Sequence, residues 1–160
     1  MGKPTKAAEN PYCKARIGCS AYNDILKSRE GASEVTGIDR TRIAHIELDT
    51  VTPYPDEVVL MADAYSAPWL MNYHCSNQCP IGKQCVPKAD ICTIEQLTIR
   101  LCATLNDLNT VQSTMISIAR DGKVSNDEIP DLKKIGDMLE QASKLYHEIS
   151  IFTKGADNEK

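Results

Sequence analysis

This 160-residue sequence has few aromatic residues, no long apolar segment and no excess of positive charge. Aromatic side chains make up 5% of the chain, with one Trp and one Phe, which argues against a base-stacking surface for single-stranded nucleic acid. No apolar run approaches the ~20 residues of a membrane-spanning helix, and the first ten residues lack the apolar core of a secretory signal. We therefore expect a cytoplasmic protein that makes no membrane contact.

Signatures of catalysis are missing as well. The sequence has no glycine-rich phosphate loop and no nucleophile–base pattern, and its three histidines are isolated from one another. We therefore predict that the protein is not an enzyme and takes no small-molecule substrate. The 18 basic and 22 acidic residues give a net charge of −4, so a surface that binds nucleic acid must be a local patch.

Helix signals recur along the chain, and no window shows the strict alternation of a strand. The Asn10 cap before Pro11 predicts a first helix that extends to about Leu26. Proline and polar residues open two later helices over 55–65 and 68–74. With the two helices between them, the first half predicts five short helices, and the whole chain predicts an all-α fold.

The two middle helices flank a glycine. Ser28 can cap a helix over 29–36 that Gly37 ends, and Asp39 can cap the next helix over 40–48. Gly37 suits such a turn because it tolerates positive φ and a close approach of two helices. The apolar residues expected to hold the two helices together are Val35, Ile38, Ile43 and Ile46.

The outer face of the second middle helix carries side chains that suit a DNA major groove. A helix fits this groove, and side chains near its N-terminus can reach base edges. Arg pairs with guanine, Thr contacts the thymine methyl, and His bonds bases or phosphates. Arg29 begins the preceding helix and is expected beside the DNA backbone. The predicted DNA-binding residues are Arg29, Arg40, Thr41, Arg42 and His45.

The segment SREGASEVTGIDRTRIAHIEL, followed by PYP and VVLMADAY, resembles the lambda-repressor-like (XRE-type) helix-turn-helix domain. The next stretch, APWLMNYHCSNQCPIGK, is similar to a subset from Firmicute prophages and mobile elements with a CxxxCPIG signature and a C-terminal helical hairpin. The resemblance covers nearly the whole chain. It implies a bacterial, nucleoid-associated transcriptional regulator, a repressor of a prophage or mobile-element promoter that binds a pseudo-palindromic operator as a dimer.

The resemblance also implies structural roles for individual residues. Gly37 takes the turn, and Glu47 pairs with an Arg of the first helix, for which Arg16 is the candidate. Arg29 stands where the family usually has Gln, and Asp49 where it usually has Gly in a left-handed conformation. The first helix is predicted to be longer than is usual in the family.

The second half predicts two long helices. Apolar residues recur with heptad spacing over 94–118 and again over 132–149, with a turn at 121–123 between them. We predict an antiparallel hairpin over 93–153, ended near Gly155. Its excess of apolar positions indicates a second packing surface, either in a homodimeric four-helix bundle or against the chain's own first domain. The predicted contact positions are Ile94, Leu97, Leu101, Thr104, Leu108, Val111, Met115 and Ile118, then Leu132, Ile135, Leu139, Ala142, Tyr146 and Ile149, flanked by Met138, Leu145 and Phe152.

Four of the seven cysteines follow a C-x3-C-x5-C-x6-C pattern: Cys75, Cys79, Cys85 and Cys92. Without a secretory signal, reduced thiols are expected. Four thiolates can bind zinc tetrahedrally and stabilise a segment that has few apolar residues, although the paired C-x2-C loops of common zinc modules are absent. Three interpretations stay open: thiols packed as small apolar groups with no cofactor, a zinc site, and a redox-active or iron–sulfur centre.

These features divide the chain into a disordered tail over 1–9, a DNA-binding domain over 10–74, a Cys/Pro-rich linker over 75–92, the hairpin over 93–153 and a polar tail over 154–160. The predicted partners are double-stranded DNA and a second copy of the chain. Two alternatives stay open. One is a protein-interaction module on a helix-turn-helix scaffold with little DNA affinity, and the other is a regulator that responds to metal or redox state through the cysteine segment.

Overall fold

The computed structural model describes residues 6–120 and 122–157, and these residues form helices and no strand, which confirms the all-α prediction. The chain divides into two compact units: the first takes in the described residues up to Val86 and those from Lys154 onward, and the second spans Pro87–Thr153. Within the described ranges, no helix combines the length and apolar character needed to cross a membrane. The helices are α1 (Lys6–Glu9), α2 (Pro11–Cys19), a 3₁₀ helix (Asp24–Lys27), α3 (Arg29–Thr36), α4 (Arg40–Glu47), α5 (Pro55–Ala64), α6 (Trp69–Asn77), α7 (Gly82–Cys85), α8 (Ile94–Ile118) and α9 (Ile129–Asp157).

Side-chain caps begin three helices at the predicted residues. The side-chain oxygens of Asn10, Ser28 and Asp39 accept hydrogen bonds from backbone amides two or three residues ahead, at 2.9, 3.0 and 2.8 Å. These caps satisfy amides that have no partner inside the first turn of a helix. The starts of α2, α3 and α4 therefore follow from local sequence chemistry alone.

The N-terminal tail is partly helical, contrary to the predicted disorder over 1–9. Lys6–Glu9 form α1, and Ala7 in this helix is 6% exposed. The amide of Asn10 donates to the Ala7 carbonyl at 3.1 Å, so α1 joins α2 through the cap residue itself. Residues 1–5 lie outside the described residues.

The first long helix is shorter than predicted, because α2 ends at Cys19 and the chain turns before the 3₁₀ helix. The turn carries Leu26 into the core, where it is fully buried. Arg16 Nη1 donates to the Leu26 carbonyl at 2.8 Å and so fixes the 3₁₀ helix against α2. The helix predicted to extend to about Leu26 therefore spans nine residues.

The core of the first unit is built from residues of all the helices from α2 to α6. Ile38, Ile43 and Ile46 are buried as predicted, but Val35 is 45% exposed. The inner face of α3 is instead set by Gly31, since a Cβ there would lie 2.0 Å from the Ile25 carbonyl oxygen. The core residues are Tyr12, Ala15, Leu26, Ala32, Ile38, Ile43, Ile46, Val58, Met61, Ala62, Tyr65, Ala67 and Leu70.

Most of the predicted linker over 75–92 is folded into the first unit. The helix α6 continues past its predicted end near His74, and α7 folds back onto it. A Cβ at Gly82 would lie 2.2 Å from the Cys75 carbonyl oxygen, so this approach requires glycine. The rest of the predicted linker, from Pro87 onward, belongs to the second unit, where the Asp90 amide donates to Glu148 Oε1 at 3.2 Å.

In the second unit, α8 and α9 lie side by side and run antiparallel. Arg100 Nη1 donates to Glu148 Oε1 at 2.5 Å, and Thr110 Oγ1 donates to Met138 Sδ at 3.9 Å, so residue numbers rise along one helix as they fall along the other. The helix α9 passes through Gly155, where we predicted its end, because one glycine costs only ~1 kcal/mol inside a helix. Residues 121 and 158–160 lie outside the described residues.

The predicted contact stripe of α9 is only partly buried. Ile135 and Leu145 are buried, whereas Leu139 and Tyr146 are 51% and 67% exposed. A heptad pattern advances 3.5 residues per turn and a straight helix 3.6, so a stripe assigned by heptads drifts around the helix. Exposed apolar side chains of this unit include Ile94, Ile99, Leu101, Leu105, Met115, Ile116, Leu139, Tyr146 and Phe152.

Candidate nucleic-acid interface

The two helices α3 and α4 meet at Gly37, and α4 presents one side to solvent. Gly37 has φ 71°, and its amide donates to the Ser33 carbonyl at 2.9 Å, which closes the end of α3. The left-handed φ explains why glycine occupies the turn. The exposed side chains near the start and on the outer side of α4 are those of Arg40, Thr41 and His45.

Arg40 is available to a ligand. Its guanidinium forms an ion pair with Glu30 on α3, and the two side chains are 61% and 58% exposed. An exposed pair of this kind contributes little stability because water screens both charges. A phosphate or a base edge can therefore replace Glu30 as the partner of Arg40 at small cost.

Arg42 is engaged within the protein, although we predicted it on the outer face of α4. Its Nε and Nη2 donate to the two carboxylate oxygens of Glu57 at 2.8 and 2.9 Å, and Nη2 donates to the Thr52 carbonyl at 3.2 Å. The guanidinium carbon lies 4.8 Å from the centroid of the Tyr54 ring. The hydrogen bonds from Arg42 hold the pKa of Glu57 below its ordinary value. This two-point pair ties α4 to the start of α5 and positions the helix.

The carboxylate of Glu47, the last residue of α4, accepts hydrogen bonds from two arginines. Arg16 Nε and Nη2 donate to Glu47 at 2.6 and 3.1 Å, which is the predicted pair. Arg29 Nε also donates to Glu47 Oε2 at 2.7 Å, so Arg29 turns inward and not toward the predicted DNA backbone. Burial raises the pKa of the Glu47 carboxyl, but the hydrogen bonds and charges of both arginines outweigh it and hold the pKa below the ordinary value.

Sequence reasoning placed Arg29 and Arg42 on the DNA-binding surface wrongly, and for the same reason. It assigned each Arg near α4 by helical position, but acceptors supplied by other segments decide where a guanidinium points. The available signals were the acidic residues on neighbouring helices: Glu57 beside Arg42, and Glu47 within reach of Arg29 as well as Arg16. The surface of α4 is consequently only weakly basic, with Glu30 beside Arg40.

The four predicted metal ligands are divided between the two units. Cys75, Cys79 and Cys85 belong to the first unit, and Cys92 belongs to the second. The thiol of Cys92 donates to the Asp90 carbonyl at 3.6 Å. Among residues 6–120 and 122–157, no group of three or more His, Cys, Asp or Glu side chains stands in metal-binding geometry.

Taken together, the site is a solvent-facing helix whose inner side is anchored by paired charges. Arg42 fixes α4 to α5, and Glu47 fixes it to α2 and α3. Such a helix can enter a groove without rearranging. Comparisons of the chain with family models, with curated proteins and with solved structures find no match.

Proposed function

We propose that this protein is a sequence-specific DNA-binding transcriptional regulator of the lambda-repressor-like helix-turn-helix type, with α4 as its recognition helix. The observation that carries the proposal is the α3–Gly37–α4 pair, in which α4 is anchored on its inner side and exposes Arg40, Thr41 and His45. An anchored helix with free donors near its N-terminus has the form that major-groove recognition requires.

The arginines divide into two classes under this proposal. Arg40 is the base or phosphate contact, with Thr41 and His45 beside it on the same exposed side. Arg42 and Arg29 do not contact DNA themselves but hold α4 in place, since each is paired with a carboxylate of the protein. This assignment narrows the predicted DNA-binding set to three residues and gives the other two a supporting role.

A homodimer formed by α8 and α9 completes the proposal. Tyr146 and Leu139 on α9 and Ile99, Ile116 and Leu105 on α8 are between 51% and 71% exposed in the single chain. A two-helix layer has no second side to cover these apolar groups, and a second copy supplies it as a four-helix bundle. Two recognition helices about 34 Å apart can then read a pseudo-palindromic operator in the cytoplasm of a bacterial cell, at a prophage or mobile-element promoter.

Selection of bound duplexes from a random pool, followed by fluorescence anisotropy, tests the recognition helix. Arg40→Ala is expected to weaken specific binding by ~1–3 kcal/mol without lowering the melting temperature. Lys27→Ala is the matched control, because Lys27 is a cation of the same unit that is 64% exposed and lies outside α4. The proposal fails if no sequence is enriched, or if the Arg40, Thr41 and His45 triple alanine variant binds the selected sequence as tightly as the wild type.

The salt dependence of binding provides an independent check. The chain carries a net charge of −4 and its recognition helix has an acidic neighbour in Glu30, so few phosphates can be neutralised. We expect the logarithm of the binding constant to fall with a shallow slope against the logarithm of salt concentration. A steep slope, which signals many released counterions, would contradict the assignment of α4 as the main contact.

The same acidic surroundings favour a second candidate function. If the Arg40–Glu30 pair is not opened by DNA, the scaffold serves as a protein-interaction module and the exposed apolar surface of α8 and α9 binds a different protein. The selection experiment separates the two functions, because an interaction module enriches no duplex sequence. Sedimentation of the purified chain shows in parallel whether the apolar surface is already covered by a second copy.

A further inference from the structure

The corner between α6 and α7 is not explained by apolar burial. Of the α7 residues, Gly82 is buried while Lys83, Gln84 and Cys85 are exposed, and the preceding Ile81 is 77% exposed. The helix α7 nevertheless folds back so closely that Gly82 admits no Cβ against Cys75. A four-residue helix held without a buried apolar side chain needs another source of stability.

Thiols are the groups that the two helices share at this corner. Cys75 and Cys79 lie one helical turn apart at the end of α6, both half-buried, and Cys85 lies on α7. The Gly82 amide donates to Cys79 Sγ at 3.4 Å, and Cys85 Sγ donates to the Ile81 carbonyl at 3.2 Å. Gly82 at the start of α7 therefore lies against both the Cys75 backbone and the Cys79 thiol, and Cys85 ends the same short helix, so the fold brings the three cysteines to one corner.

We propose that Cys75, Cys79 and Cys85 form a three-thiolate site for a thiophilic d¹⁰ cation, of the class of Zn²⁺ and Cd²⁺, that clamps α7 onto α6. Three sulfurs on two adjoining helical segments can take three ligand positions and leave the fourth to water or an exogenous ligand. The backbone amide on Cys79 Sγ is the kind of hydrogen bond that orients a ligating sulfur. Binding requires the exposed Cys85 thiol to exchange its hydrogen bond to the Ile81 carbonyl for the cation.

This site differs from the four-cysteine set that spacing alone indicated. Cys92 belongs to the second unit, so the proposed ligands come from the first unit only. A soft cation is favoured over Ca²⁺ or Mg²⁺ because those ions require oxygen ligands and the three side chains offer sulfur. The metal-site proposal does not depend on DNA binding, and its test contains no DNA. The metal site and the proposed DNA-binding function can therefore fail separately.

Cadmium titration of the full-length protein under a phosphine reductant tests the site. The expected result is one equivalent of Cd²⁺ per chain, seen as the ultraviolet cadmium–thiolate charge-transfer band, with Zn²⁺ competing. Three of the seven thiols should become protected from a thiol-reactive dye. Cys85→Ser should weaken Cd²⁺ binding at least about tenfold, within the range that loss of one ligand produces, and Cys102→Ser, on exposed α8, should not change it.

Three further variants make the test decisive. Gly82→Ala forces α7 away from Cys75 and should abolish the charge-transfer band, whereas Gly18→Ala, which meets nothing within 4 Å, should preserve it. Cys92→Ser should bind Cd²⁺ like the wild type. The proposal is overturned if no band appears, if Gly82→Ala retains full affinity, or if Cys92→Ser weakens binding as much as Cys85→Ser.

Discussion

The two units of the chain bury their apolar side chains to different extents. The first unit buries Tyr12, Leu26, Ile43, Met61 and Leu70 to below 2% exposure, so its core closes on itself. The second unit is built from α8 and from α9 up to Thr153, yet much of its apolar surface faces solvent. The contrast shows that forming a helix and burying its apolar side chains are separate problems, and the homodimer proposed above is how we expect the second unit to solve the second problem.

Buried carboxylates show the same contrast. Both oxygens of Glu47 in the first unit receive arginine hydrogen bonds. In the second unit, Glu148 is 1% exposed, and its Oε1 accepts hydrogen bonds from the Arg100 guanidinium and the Asp90 amide. Its Oε2 has no hydrogen-bond partner among the residues that the structure describes. A buried oxygen left without a partner is costly, and the first unit has one as well in Tyr65 Oη, so the two units differ here only in how completely their buried carboxylates are paired.

The largest expected effect comes from placing charge on the exposed stripe of α9. In the double variant Leu139→Glu and Tyr146→Glu, each lost apolar contact is worth ~1.5–3 kcal/mol and is counted twice in a symmetric dimer. We expect a dimer at micromolar concentration to become monomeric while helical circular dichroism is retained. Sedimentation equilibrium measures the change.

The matched control for this variant changes polar positions on the same helix. Lys133→Glu and Gln141→Glu alter residues that are exposed on α9 and not apolar, so the dimer should persist. A wild-type chain that sediments as a monomer would remove the proposed four-helix bundle. A dimer that survives the Leu139 and Tyr146 changes would place the interface elsewhere.

The next effect in size concerns the buried ion pair of the first unit. Glu47→Gln leaves the buried Arg16 guanidinium without its counter-charge, and breaking a buried pair in this way costs ~3–5 kcal/mol. Urea denaturation followed at the single Trp should show this loss in the free energy of unfolding. Glu30→Gln, at the exposed pair with Arg40, is the control and should leave the denaturation midpoint unchanged.

The pH dependence of stability has a defined sign at Glu47. Its pKa is lower in the folded chain than in the unfolded one, so it stabilises the fold fully above the unfolded pKa of ~4.3. That contribution is lost as the pH falls through the folded pKa. Melting temperatures from pH 7 down to acid should therefore fall more steeply for the wild type than for Glu47→Gln. Parallel curves would show that the carboxylate is not the source of the acid sensitivity.

The same comparison shows which features could be predicted from sequence. The caps at Asn10, Ser28 and Asp39 depend on hydrogen bonds within three residues, and all three were predicted. The inner face of α9 depends on which side meets α8, and heptad counting assigned Leu139 and Tyr146 to the wrong side. These local caps were predicted correctly, whereas contacts between helices were predicted only in part, correctly at Ile43 and Ile46 and wrongly at Leu139 and Tyr146.

Arginine assignments failed on the same physical ground. The pair of Arg16 with Glu47 was predicted from the family resemblance, which already contains a tertiary contact. Arg42 and Arg29 had no such guide, and helical position alone placed them on the DNA-binding face. Their carboxylate partners, Glu57 and Glu47, are 15 and 18 residues away in sequence, beyond the reach of a periodicity argument.

The smallest expected effect compares one left-handed residue in each unit. Asp49 follows α4 with φ 58°, and Gly122 lies between α8 and α9 with φ 71°. A left-handed conformation costs a residue with a Cβ roughly 1–2 kcal/mol, and glycine avoids this cost but loses more backbone entropy on folding. Asp49→Gly should therefore stabilise the first unit by ~0.5–1 kcal/mol, and Gly122→Asp should destabilise the second by a similar amount.

Charge and backbone effects at Asp49 can be separated with one more variant. The carboxylate sits just beyond the C-terminus of α4, where the helix dipole disfavours negative charge, so part of the gain from Asp49→Gly is electrostatic. Asp49→Asn removes the charge but keeps a side chain that tolerates positive φ, and its gain should be the smaller of the two. Thermal unfolding at low and at high salt distinguishes them, since salt screens only the electrostatic part. Equal gains for Asn and Gly at high salt would mean that the backbone at Asp49 carries no strain, and that the two left-handed positions are not equivalent.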